Sequence, residues 1–173
     1  MADLGWGRLR RMAIPHLGGK GQGWVLLQVL LLLVTAGVGV LGLTGTVTRW
    51  PEGARTPIAW LGMVLAVAGS AVFLIAATGL GSALTANPAP LDDETLRAEG
   101  IYSVVRHPIY SGLLLTALGF ALITTPWGLV PVALLAVELD LKRRLEEEWL
   151  AATYPDYAAY RTRVPRALVP GLW

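Results

Sequence analysis

Arg106, His107 and Pro108 stand together in the run GIYSVVRHPIYSG, residues 100–112, directly against a long apolar segment. A cation, an imidazole and a helix-starting proline at the edge of hydrocarbon are costly to bury without partners, which points to a binding site. A second reading is an interfacial anchor, with Arg106 snorkelling to headgroups, His107 hydrated, and Tyr102 and Tyr110 in an aromatic belt. From these residues alone both readings stand.

The second polar constellation is ELDLKRRLEEEWLAATY, residues 138–154. On a helix Glu138 and Lys142, Asp140 and Arg144, and Arg143 and Glu147 are each four apart, so self-pairing on a solvated face explains much of the pattern. Glu148 and Lys142 are assigned to that solvated face. Glu146 and Glu147, beside a motif containing Arg and His, are not assigned to it.

Composition defines the surroundings of these groups. Of 173 residues, 54% are hydrophobic and 15% charged, with a mean hydropathy of +0.56. That is far from the quarter-charged balance of a soluble domain and indicates a membrane protein, with room for one bundle of about four or five spans. The net charge is +2, and the arginines cluster at the ends of apolar runs. They read as topology signals, and no nucleic-acid partner is expected. With no cysteine, thiolate catalysis and cysteine-ligated metals are excluded, and His16 and His107 are too few for a histidine-rich metal site.

The elements that must position the polar groups follow from the apolar runs. Arg8, Arg10, Arg11 and Lys20 precede an apolar run over residues 24–43, read as an uncleaved first span with its N-terminus in the cytoplasm. Residues 44–56, with Gly45, Pro51 and Gly53, form an external loop containing Arg49. A second span covers 57–80, where Gly62, Gly69, Gly79 and Gly81 would allow close helix approach. An exit over 79–90 and a short surface helix over 91–99 lead to the motif. A third, short span over 109–124 turns tightly at 125–128, and a return helix from 129 continues past the membrane edge at 141. Pro155 ends it, and Tyr157 and Tyr160 lie three apart on a final turn. The fold class is therefore all-α: a polytopic membrane helical bundle of about four spans with a C-terminal helical hairpin.

In order, Tyr102, Arg106-His107-Pro108, Tyr110, Gly112, Glu146-Glu147, Leu150, Tyr157, Tyr160 and Val164-Pro165-Arg166 resemble the isoprenylcysteine carboxyl methyltransferase family, within the wider group that includes phospholipid N-methyltransferases. The resemblance covers residues 100–170; Tyr154-Pro155 departs from it, standing where Phe-Gly is common. It implies an integral membrane methyltransferase using S-adenosylmethionine, not a soluble Rossmann enzyme; no glycine-rich turn after a strand is present. It further implies one domain over 1–173, with membrane helices in 1–90 and a cofactor-binding catalytic region in 91–173. By that resemblance Arg106, His107 and Glu147 are catalytic. Tyr102, Arg106, His107, Pro108, Tyr110, Glu146, Glu147, Tyr157 and Tyr160 form the cofactor pocket on the cytoplasmic face of a multi-pass bacterial inner-membrane protein. The acceptor is a lipophilic or prenylated molecule delivered by the bilayer, with O-methylation of an isoprenylcysteine-like carboxylate favoured. The alternatives are a membrane reductase of the steroid reductase type using NADPH, and a non-enzymatic membrane scaffold.

Overall fold

The computed structural model describes residues 21–81 and 96–169. Among them there is no strand, and the elements are α1 (Gln22–Thr44), α2 (Glu52–Leu80), a 3-10 turn (Gly100–Ser103), α3 (Pro108–Thr124), a second 3-10 turn (Pro126–Gly128), α4 (Leu129–Thr153) and α5 (Tyr157–Arg163). The basic N-terminal run with His16, the exit over 82–90 and the first residues of the expected surface helix lie outside the described residues. Residues 96–98 carry no helix, so that helix does not extend to 99 as expected.

Two helices, α1 and α2, are long and apolar enough to cross a membrane, and less than a quarter of the most apolar window of each is buried inside the protein. Their outward faces carry Leu26, Leu33, Trp60 and Val67, all largely exposed. An apolar face of that extent is suited to lipid. The 17 residues of α3 span only about 26 Å at the usual rise, short of a hydrocarbon core of about 30 Å.

α1 begins at Gly21 and ends at Gly45, both with left-handed backbone (φ 71° and 76°), and the Gly45 N–H donates back to the carbonyls of Leu41 and Gly42. Arg49 completes that end: its Nε donates to the Gly42 carbonyl at 2.8 Å, and its guanidinium also reaches the Leu43 carbonyl. The loop expected over 44–56 is shorter, because α2 starts at Glu52 and carries Pro57 inside it. The proline forfeits the bond to the Gly53 carbonyl, which is exposed at the helix start and open to other partners.

Small residues bring α2 and α3 together. A β-carbon at Gly62 would lie 2.6 Å from the Gly119 carbonyl, and one at Gly112 would lie 2.6 Å from the Phe73 nitrogen. These backbones touch, as the glycine pattern predicts for Gly62 and Gly69. Gly81 acts differently: nothing lies near it, and its φ of 55° serves the helix end. The core between the other helices is Ala117 and Ala121 of α3 against Val132, Leu135 and Leu139 of α4, with Leu31 and Leu32 of α1 packed on it. The turn from α3 to α4 is fixed by Thr125, whose hydroxyl donates to the Thr48 carbonyl at 2.7 Å and accepts from the Trp127 N–H.

Candidate functional site

Pro108 is the first residue of α3, where its missing N–H costs nothing, so the Arg106-His107 pair is held immediately before the helix. The tail anchors this pair by its backbone. The Arg106 N–H donates to the Arg166 carbonyl at 3.1 Å and the His107 N–H to the Ala167 carbonyl at 2.9 Å. Ser111 adds a side-chain bond to the Leu168 carbonyl at 2.5 Å.

The two side chains converge on α4. Glu147 Oε1 accepts from Arg106 Nε at 3.1 Å and Arg106 Nη2 at 2.9 Å, and lies 3.1 Å from His107 Nε2 and 3.5 Å from Arg143 Nη1. Arg106 Nη1 donates to the Val164 carbonyl at 2.7 Å, so the guanidinium is bound on every edge. Arg106, His107 and Glu147 are all buried. Burial alone would raise the Glu147 carboxyl, but the hydrogen bond and charge of His107, together with those of Arg106, outweigh it and hold the group down at about 2.

Glu146 lies beside this cluster with its side chain 26% exposed, the most open carboxylate of the group. Its Oε2 accepts from the Tyr110 hydroxyl at 2.9 Å and sits 3.6 Å from His107 Nδ1. The His107 and Tyr110 rings are stacked, with centroids 5.5 Å apart and planes within 7°. Carboxylates therefore face both ring nitrogens of His107.

The tyrosines of the tail form the floor. Tyr157 and Tyr160 are buried and pack edge to face at 5.9 Å, in a cluster with Val164, Leu96 and Leu150. The Tyr160 hydroxyl donates to the Tyr102 carbonyl at 2.7 Å. Burial pushes Tyr160 up to about 12, although the Arg106 charge acts against it. Tyr157 is also raised, first by burial and then by the charge of Glu147. The Tyr102 hydroxyl turns away to the Ala76 carbonyl of α2 at 3.2 Å.

Arg106, His107, Pro108, Tyr110, Glu146 and Glu147 are thus brought to one place, with Tyr157 and Tyr160 packed below. Tyr102 is tied to this group through Tyr160 and to α2 through its hydroxyl. The helical pairs are only partly as expected. Asp140 meets Arg144 at 2.6 Å and also Arg143 at 2.5 Å, but the Glu138 carboxylate has no hydrogen-bond partner among the described residues. Lys142 is not on a solvated face: it is 1% exposed, donates to Gln28 Oε1 of α1 at 2.7 Å, and lies 5.3 Å from the Tyr110 ring centroid. A lone glutamine in the apolar run of α1 is the signal that could have disclosed this partner. Among the described residues no cluster of potential metal ligands occurs.

Among the described residues the structure is helical, with two helices of membrane-spanning length and a buried Arg-His-Glu cluster at the head of a short apolar helix. The phospholipid methyltransferase family matches residues 57–157, more than half of the chain, and the protein belongs to that family of integral membrane methyltransferases. Its sequence is also similar to the cobalt-zinc-cadmium resistance protein CzcN of Cupriavidus metallidurans, 36% identical over 75 residues that make up 42% of this chain and 35% of that relative. The match therefore spans about a third of the length of that relative. No solved structure matches the chain significantly.

Proposed function

We propose that this protein transfers a methyl group from S-adenosylmethionine to a lipophilic acceptor delivered by the membrane, at a cytoplasmic site built from the residues around Glu146 and Glu147. Family membership supports methyl transfer in general. The observation that carries the site is the Arg106–Glu147 pair, in which Arg106, from the loop before α3, binds Glu147 of the polar half of α4 and the Val164 carbonyl of the tail, beside the partly exposed Glu146. The available groups fit such a cofactor. Glu146 is an acceptor for ribose hydroxyls or an amino group, and the buried Tyr157 hydroxyl has no hydrogen-bond partner among the described residues.

When bound, the cofactor supplies an activated methyl group on a sulfonium. The chain's own contribution is then orientation and exclusion of water, which matter more than proton transfer in an in-line displacement. Arg106 and Glu147 satisfy each other and act by holding the loop, helix and tail in register. Tyr110 orients Glu146, and Tyr157 and Tyr160 line the pocket. A carboxylate acceptor, as in an isoprenylcysteine, needs no base. An amine or hydroxyl gives up a proton, and Glu146, the most open carboxylate of the group, is the acceptor the site offers for it.

The test is incubation of detergent-purified protein with methyl-labelled S-adenosylmethionine and a total membrane-lipid extract. Label should enter the organic phase and fall at least tenfold with Glu146→Ala. Oxidation of NADPH without any label transfer would replace this reading with the reductase.

A further inference from the structure

The groups that a cofactor would have to touch are nearly all covered. Arg106, His107 and Glu147 are 7–8% exposed and Tyr157 is 2% exposed, although the Tyr157 hydroxyl has no hydrogen-bond partner among the described residues. Glu146, with its partly open side chain, is the exception. A small molecule held in a pocket buries most of its own surface, so part of the chain must move before one can reach these groups. The helices resist such movement: α2 and α3 touch backbone to backbone, and α4 is packed on α3 through the apolar core. Residues 164–168, which follow α5, are held differently. They belong to no helix, and four donors bind them through main-chain carbonyls: Arg106 Nη1 on Val164, the Arg106 N–H on Arg166, the His107 N–H on Ala167 and the Ser111 hydroxyl on Leu168. Val164 packs in one cluster with Tyr157 and Tyr160, so this segment lies against the ring that carries the unpartnered hydroxyl.

We propose that residues 164–168 form a strap that opens to admit the cofactor to the Arg106–Glu147 site and closes again over it. The identity of the ligand rests on the methyltransferase reading. A segment held by a few main-chain bonds opens at a lower free energy than packed helices. Arg106 gives up one partner in the opening and keeps Glu147 on its other two nitrogens, so the site stays assembled while the strap is away. The donors left behind are two N–H groups, a hydroxyl and one guanidinium nitrogen, all of which water can satisfy. Leu168, fully buried, is the largest apolar group of the strap, and its reburial favours the closed state. Closure then excludes water from the reacting groups.

The chain has no cysteine, so a disulfide staple can be introduced without competing thiols. Ser111→Cys combined with Leu168→Cys puts one thiol on each side of the contact between α3 and the strap, in the full chain in detergent, and intact mass reports whether the bond forms. Labelled S-adenosylhomocysteine should associate at least tenfold more slowly with the oxidised pair than with the reduced pair, and reductant should restore the rate. A staple closed on bound ligand should slow its release to a similar extent. A clamp with only a structural role would leave both rates unchanged, and that result overturns the strap. Amide hydrogen exchange of the wild type decides even if the staple does not form. Arg106 and His107, whose N–H groups bind the strap, should exchange at least tenfold faster than Ala117 and Ala121 of the core, and S-adenosylhomocysteine should slow them. Exchange as slow as that of the core would show a strap that does not open. If the wild type binds no S-adenosylhomocysteine, the methyltransferase reading fails, while fast exchange at Arg106 and His107 still supports the opening.

Discussion

Arg106 and Glu147 meet across the junction between the loop before α3 and the polar half of α4, with two guanidinium nitrogens, at 3.1 and 2.9 Å, on a single carboxylate oxygen. The third nitrogen is bound to the Val164 carbonyl of the tail, so one side chain ties three segments together. A lysine offers a point charge in place of that fork. Arg106→Lys should therefore lower stability by about 1–3 kcal/mol, the cost of leaving buried hydrogen bonds unmade. Arg49→Lys should cost distinctly less, because Arg49 only caps an exposed helix end. Chemical unfolding in detergent compares the two, and equal losses would contradict the three-way tie.

The same pair makes stability depend on acid. Glu147 is held at about 2 in the folded protein, below the value of about 4.3 expected of an unfolded glutamate. A depressed carboxylate stabilises the fold above its unfolded value, and that stability is lost as pH falls through the folded value. The loss should amount to a few kcal/mol between about pH 4.5 and pH 2. Glu147→Gln should be less stable at neutral pH and show a flatter acid limb in unfolding experiments across that window.

Tyr110 separates a positioning role from a structural one. Its ring stacks on His107 and its hydroxyl orients Glu146. Tyr110→Phe keeps the stack and removes the hydroxyl, so stability should fall by only about 1 kcal/mol. S-adenosylhomocysteine affinity should fall several-fold. A variant that loses stability and keeps full affinity would show that Glu146 does not need this orientation.

The α2–α3 contact should be unforgiving at its glycines. A β-carbon at Gly62 or Gly112 meets backbone atoms of the opposite helix at 2.6 Å, and overpacking of this kind costs about 1–3 kcal/mol. Gly112→Ala should lower the unfolding temperature clearly. Gly37→Ala, where nothing lies within 4 Å of the new carbon, should be neutral or slightly stabilising.

How far the molecule could be read from its residues depends on where the deciding contact lies. The turn at Thr125 and the extension of the return helix into the EEE segment were legible, because breakers and periodicity are local signals. The grouping of Arg106, His107, Glu146 and Glu147 came from the family resemblance, and the direct pairing of Arg106 with Glu147 was not read from the residues. Lys142 was misplaced because spacing alone pairs it with Glu138; its actual partner, Gln28, depends on how α1 lies across α4. The tail's grip on the motif was hidden for another reason. It acts through the carbonyls of Arg166, Ala167 and Leu168, groups that any residue type supplies. The start of α2 was set too late because Pro57 reads as a boundary, yet near an exposed helix end one missing N–H is tolerated.

The most direct test of S-adenosylmethionine use at the Arg106-His107-Glu146-Glu147 site is calorimetric titration of the detergent-purified protein with S-adenosylhomocysteine, beside Glu146→Ala and an NADPH control. Saturable binding to the wild type, weakened at least tenfold in the variant and absent for NADPH, is the expected result. No binding of S-adenosylhomocysteine to the folded protein, or binding that Glu146→Ala leaves unchanged, would contradict it.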